Sequence, residues 1–237
     1  MTRQPLKVRL MRGTVEFLGR HPTLRKAFFW LNFYGLRLAK PVEYLLLREL
    51  MDCKSVLDLG CGRHSMVPIL PKSVNTVGVE FFEPHLDEAR ESARHSSYVH
   101  ADITKADFPE KSFDAVVMLD VIEHLPKAQG EALLSSMQRW ARKKIVIFTP
   151  NGFVHQHEYD ENPLMEHLSG WEPGDFRRLG FNKVFGVRGF KELKKDCHEH
   201  GHGCECEVDS VADITQIVTY HVPQWAFQLF CVKELAR

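Results

Sequence analysis

The chain carries no surplus charge of either sign. Its 31 lysines and arginines balance 31 aspartates and glutamates, so no bulk field draws the whole protein toward nucleic acid. Long hydrophobic runs are missing too. The most apolar early stretch, Ala27 to Leu38, is too short and too polar in places to span a bilayer. The first residues lack the apolar core and small-residue cleavage site of a secretion signal. Cysteine is sparse: six residues in 237, with no disulfide-like framework, which predicts a reduced, cytoplasmic setting. No internal repeat and no low-complexity linker interrupts the chain. A hydrophobic content of 44% is ample for one core and short for two full domains.

What is present is unevenly distributed. Residues 1–40 hold nine basic residues, Arg3 through Lys40, against Glu16 alone. A basic head on an acidic body can dock on its own domain, on anionic lipid or on an acidic partner. The plainest of these is a solvated helical face folded over its own domain. Residues 5–50 read as helical with breaks at Pro22 and Pro41. We expect an N-terminal helical extension and lid over 1–50, then one domain over 51–237.

Within that domain the pattern alternates. Apolar runs at Ser55–Leu59, Thr76–Val79, Tyr98–Ala101, Asp114–Leu119 and Lys144–Phe148 predict strands. Helical segments lie between them, at Pro84–Arg94 and Lys127–Arg142. Leu133, Leu134, Met137 and Trp140 form an apolar stripe on the latter, read as core. A helix near Pro173–Leu179, a strand Lys183–Val187, a helix near Val211–Tyr220 and a strand Ala226–Val232 follow. Seven strands alternating with helices predict an α/β, doubly wound, mostly parallel sheet covered on both faces.

The chemistry gathers at the strand ends. Val56 to Gly62 reads Val-Leu-Asp-Leu-Gly-Cys-Gly, and Glu80 closes the next strand. A strand, a glycine turn and a carboxylate about 20 residues on build a nucleoside-cofactor pocket. A nicotinamide dinucleotide site would want a further glycine where Ser65 stands, and Pro68 interrupts the helix that would seat a pyrophosphate. An ordinary tight turn accounts for Gly60 and Gly62 but not for Asp58 and Glu80 together.

With Asp58-Leu-Gly-Cys-Gly62 as its first motif, the sequence resembles the class I S-adenosylmethionine-dependent methyltransferases. The third glycine usual in that motif is His64 here. The resemblance implies a Rossmann-like fold whose seventh strand enters antiparallel beside the fifth and sixth, and S-adenosyl-L-methionine as cofactor. It implies that Asp58, Gly60, Cys61 and Gly62 form the cofactor loop and that Glu80 holds the ribose. Phe81 would lie on the adenine face, and Asp102, beside Ile103, would accept from the adenine amino group. Asp120-Val-Ile-Glu-His-Leu125 looks like the family's fourth motif. Asp120, also an expected cofactor contact, and His124 are the expected catalytic residues, with His124, titrating near neutrality, a first candidate to remove an acceptor proton. Its alternative is a histidine capping the next helix.

The polar loop of residues 153–171 is too rich in histidine and acid to be a spacer. It is expected to wall the acceptor side, with His155, His157, Tyr159 and His167 as contacts. The spacing of His155, His157 and Glu158 matches no strong ligand motif. An insertion at about 194–208 carries Cys197-His-Glu-His-Gly-His-Gly-Cys-Glu-Cys206. Cys197, His200, Cys204 and Cys206 can capture a soft ion there, but Cys-x-Cys is tighter than a zinc knuckle, and no resident metal is expected. The chain thus reads as a methyltransferase acting at oxygen or nitrogen of a small-molecule, saccharide or lipid-linked acceptor. A protein or RNA acceptor, and a non-catalytic cofactor-binding scaffold, are the alternatives.

Overall fold

The computed structural model describes residues 41–157, 162–192 and 210–236. The expected helical extension up to residue 40, Tyr159 and the Cys/His-rich segment lie outside the described residues. The rest is an α/β domain whose elements run α1 (Pro41–Leu50), β1 (Ser55–Leu59), β2 (Asn75–Glu80), α2 (Glu83–Ser92), β3 (Ser97–His100) and β4 (Phe113–Leu119). After these come α3 (Lys127–Trp140), β5 (Ala141–Pro150), α4 (Pro173–Arg178), β6 (Lys183–Phe190), α5 (Ser210–Thr219) and β7 (Ala226–Glu234).

The seven strands form one sheet in the order β3-β2-β1-β4-β5-β7-β6. β1 to β5 pair parallel, and β7 pairs antiparallel with both β5 and β6. Alternation along each strand sorts side chains to two layers. Val56, Ala115, Val117, Val146 and Phe148 pack with α1 and Tyr220 on one face. Leu57, Leu59, Val116, Met118, Ile145 and Ile147 meet Leu133, Leu134, Met137 and Trp140 of α3 on the other. The predicted apolar stripe of α3 is therefore core.

One boundary differs from the sequence pattern. α3 stops at Trp140 rather than Arg142, because Ala141 already pairs with Phe113 and begins β5. α1, short and almost wholly buried, is locked by Arg48. That side chain donates to Tyr220 Oη at 2.6 Å and lies 4.7 Å from the Phe185 ring, tying the first helix to β6. β1 has β2 on one side and β4 on the other, so chain order reverses there. Crevices at such a reversal, beyond the carboxyl ends of the strands, are where open α/β sheets bind ligands.

Candidate active site

The turn after β1 is built for close approach. Gly60 has φ +67° and Gly62 φ +51°, left-handed conformations that favour glycine. A Cβ on Gly60 would stand 2.7 Å from Val121 Cγ2, so the turn after β1 packs against the turn after β4 at the reversal point. Asp58, 1% exposed, holds the loop from below. Its Oδ2 accepts from Ser65 Oγ at 2.5 Å, and Ser65 Oγ accepts in turn from the Val67 amide. His95 Nε2 lies 3.2 Å from the same carboxylate oxygen. It is not aligned for a hydrogen bond, and neither ring nitrogen has another partner among the described residues. Nothing local marks His95, which reaches Asp58 only through the fold. Burial raises the Cys61 thiol pKa, so Cys61 stays protonated and packs.

Glu80 ends β2 and is pinned by three backbone donors. Gly62 N donates to Oε2 at 2.9 Å, while Phe81 N and Phe82 N donate to Oε1 at 2.9 and 2.8 Å. A carboxylate offers about four acceptor positions, so one on Oε2 is left for a ligand. Phe81 is 49% exposed beside His100. Asp102 accepts from Thr104 N and Oγ1 through Oδ1 and pairs with Lys105 through Oδ2. Burial opposes ionisation of Asp102, but those bonds outweigh it and lower the pKa.

The far side is made by the turn after β4. Asp120 adopts φ +53°, which a short polar side chain tolerates, and Gln228 Nε2 of β7 donates to its Oδ1 at 3.2 Å. Asp120 is open to the cavity but enclosed by protein around it. That desolvation, partly offset by Arg188, raises its pKa to about 6. Glu123 is buried and accepts from Thr149 Oγ1 at 2.8 Å. Burial and then the Asp120 charge push its pKa well up.

Segment 167–171 is fastened onto this turn. Leu168 N and Ser169 N donate to Glu123 O, and Trp171 Nε1 donates to Ser169 Oγ. Lys127 Nζ donates to Gly170 O and to Asp175 at 2.7 Å each and sits 3.9 Å over the Trp171 ring. His167 is thereby brought against His124, their ring centroids 4.8 Å apart. Burial lowers the His124 pKa to about 4, against a hydrogen bond with Glu166 O that favours the charged ring. The sequence expectation that His124 titrates near neutrality is corrected by that burial. Of the two groups expected to be catalytic, Asp120 is the one whose pKa lies nearer neutrality.

The correction is measurable. Between about pH 6.5 and pH 4 the unfolded chain binds a proton at His124 that the folded chain refuses. Stability from this group therefore falls as pH drops through that window, by on the order of 3 kcal/mol in all. In chelator-treated protein the His124 ring resonances should stay at their neutral positions down to about pH 4. A midpoint near 6.5 by NMR would show that the ring is solvated.

These strand ends enclose a cavity of about 650 Å³, within the range of small-molecule sites. Asp58, Gly60, Cys61, Gly62, Glu80, Phe81, Asp102, Ile103, Asp120 and His124 all line it. The acceptor-side residues expected from sequence are placed differently. His155 and His157 are exposed, stack on each other with centroids 4.4 Å apart, and lie outside the lining. His167 sits behind His124 rather than in the wall. The wall itself is apolar: Leu125, Leu164, Met165 and Leu168. Sequence reasoning passed over Glu123 and these apolar residues in favour of the histidines around them. Glu123 beside His124, with His167 downstream, was the available signal.

Known proteins are similar in sequence and in fold. The profile of a methyltransferase domain family matches residues 57–148. A sterol 24-C-methyltransferase of Yarrowia lipolytica is 28% identical over 176 residues, covering 70% of this chain and 44% of that protein. A phosphatidylethanolamine N-methyltransferase of Cereibacter sphaeroides is 28% identical over 131 residues, 49% of this chain and 62% of that one. The chain thus spans about half the length of these curated relatives. A SAM-dependent methyltransferase from Archaeoglobus fulgidus superposes with TM-score 0.52 at 20% identity, covering 88% and 99% of the two chains. Residues 57–148 thus match a methyltransferase domain, and the strand order and overall fold are those of Rossmann-like S-adenosylmethionine-dependent methyltransferases.

Proposed function

We propose that the protein holds S-adenosylmethionine along the ends of β1 to β4 and methylates an oxygen or nitrogen of an acceptor with a substantial apolar body, small or lipid-linked. The observation that carries this reading is the convergence of Asp58, Glu80, Asp102 and Asp120, from four separate strands, on one cavity. The residues fit the cofactor. Gly60 permits close backbone approach, Glu80 Oε2 keeps an acceptor position for a ribose hydroxyl, and exposed Phe81 offers a ring face to a purine.

Bound S-adenosylmethionine supplies a methyl group already activated on a sulfonium. The chain's own tasks are then to align a nucleophile within about 3–3.5 Å of the methyl carbon and to exclude water. Leu125, Leu164, Met165 and Leu168 serve exclusion and grip an apolar acceptor, while Asp120 and His124 border the polar end. Exposed Phe153, Leu164 and Leu168, 59%, 46% and 50%, extend the apolar surface outward, which favours a hydrophobic acceptor over RNA. Cytoplasmic placement belongs to the same reading and rests on the free, buried Cys53, Cys61 and Cys231. Among the described residues no helix is long and apolar enough to cross a membrane.

Calorimetric titration of the purified chain with S-adenosylmethionine, S-adenosylhomocysteine and NAD tests this. Micromolar binding of the first two and none of the third is expected, followed by turnover in a screen of phenolic, amine and lipid-linked acceptors. Binding of NAD alone overturns the reading.

A further inference from the structure

Glu123, His124 and His167 present one ligand atom each within 4.8 Å of one another. From this cluster we propose that the protein carries a divalent metal site at the acceptor end of the cavity, with these three side chains as ligands. The role of that site rests on the reading above; its existence does not.

The three ligands come from two segments brought together by the fold, and each is fixed by a partner of its own. His124 Nδ1 lies 3.0 Å from Glu166 O, and His167 Nδ1 lies 2.7 Å from Val154 O. A carbonyl oxygen only accepts, so both Nδ1 atoms carry the proton and both Nε2 atoms carry a lone pair. This is the tautomer a metal-ligating histidine needs, held by the backbone carbonyl that commonly holds it. Glu123 is oriented by Thr149 Oγ1 on Oε2 and by the backbone amides of Val121 and Glu123 itself. That leaves about one of its four acceptor positions for an ion. Among the described residues no ion pair reaches Glu123 or Asp120. The Asp120 carboxylate, three residues away in the same turn, acts on Glu123, while Arg188 is the cation that acts on Asp120.

The donor set identifies the class of metal. Two imidazoles and a carboxylate suit a first-row ion such as Mn²⁺, Fe²⁺, Co²⁺ or Zn²⁺ and are a poor match for Mg²⁺ or Ca²⁺, which favour oxygen. Bonds of about 2.1 Å require the three side chains to draw slightly inward. Three protein ligands leave coordination positions open. His124 lines the cavity while Glu123 and His167 lie behind it, so the open positions face the cavity, beside Asp120. They would take oxygen atoms of the acceptor, which selects an acceptor with a hydroxyl or adjacent hydroxyls over a simple amine.

The test uses the full chain, metal-stripped, titrated with Co²⁺ and followed by its visible absorption. A parallel protein has Cys197, Cys204 and Cys206 replaced by serine, removing the competing soft-ion segment. The expected result is one Co²⁺ bound with ligand-field bands that persist in the serine protein and lack thiolate charge-transfer absorption. Affinity should fall at least about tenfold in His167→Gln and in Glu123→Gln. Cooperative thermal unfolding of each variant checks its fold, and His124→Gln serves if one does not fold. Bands that vanish in the serine protein, or affinity indifferent to all three ligand variants, overturn the site. S-adenosylmethionine titrations on the same samples separate the two readings. Cofactor binding without Co²⁺ binding removes the metal site alone, and Co²⁺ binding without cofactor binding removes the proposed function alone.

Discussion

Glu80→Ala is expected to weaken S-adenosylmethionine binding by one to two orders of magnitude and to lower stability in the same protein. Losing a charged hydrogen bond to a ribose hydroxyl costs about 1.5–3 kcal/mol, a factor of roughly 10 to 150. The second effect follows from the three amides that Glu80 accepts, Gly62 N, Phe81 N and Phe82 N. Removing the carboxylate strands all three, at about 1–3 kcal/mol for each that water does not reach. The cavity is open to solvent, so a total of about 2–4 kcal/mol is expected. Sequence alone casts Glu80 as a ligand residue that could be removed without touching the fold; the structure makes it also the clasp between the first and second loops. Glu80→Gln keeps one carbonyl acceptor but sets an amide donor against the other N–H groups, and should fall between the two. Calorimetry and thermal unfolding on the three proteins decide the matter. Unchanged affinity in Glu80→Ala would remove the ribose assignment.

Gly186→Ala should be strongly destabilising, because among the described glycines its added methyl makes the closest contact. Gly186 lies on β6 directly beneath α5, and a Cβ there would stand 2.1 Å from Thr219 O and 2.5 Å from Ala226 Cβ. The first contact is backbone, which no rotamer change relieves. Gln216 closes the same junction by donating from Nε2 to Gly186 O at 3.0 Å and accepting from Gly189 N at 3.2 Å. Pushing α5 away therefore breaks buried hydrogen bonds as well as packing. Overpacking of this kind costs about 1–3 kcal/mol and occasionally more, and the broken bonds place this case at or beyond 3 kcal/mol. Gly174→Ala is the matched control. Nothing lies within 4 Å of its Cβ position, and alanine in α4 should be neutral or slightly stabilising. Urea unfolding of both variants gives the comparison; equal midpoints would mean that α5 does not rest on β6 in solution.

The strands were legible because their patterns are local. Ala115 to Leu119 and Ile145 to Phe148 are continuous apolar runs, as strands buried on both faces must be, and Val56 to Leu59 is interrupted only by Asp58. The cofactor side was legible for a related reason: each acid stands at the end of its own strand, so finding the strands nearly finds the site. The acceptor side was not. Whether His155 or Leu164 faces the cavity depends on the path of a long loop, and that path is set by long-range bonds such as those of Lys127 to Gly170 and Asp175. His95 beneath Asp58 is hidden for the same reason. The low pKa of His124 comes from burial, a tertiary property that no spacing along the chain records.

The position of β7 also fixes an order of events during synthesis. The strand made last lies between β5 and β6, not at an edge. Until residues 226–234 emerge, β5 presents a long open edge and β6 has no strand to pair with among the described residues. A nascent chain can assemble the β3-β2-β1-β4-β5 portion, with most of the cofactor-side loops in place, while its hydrogen-bonding edge is still available to other chains. Arrival of β7 closes that edge and delivers Gln228 to Asp120 in the same step, so the acceptor end of the cavity is finished only when the sheet is sealed.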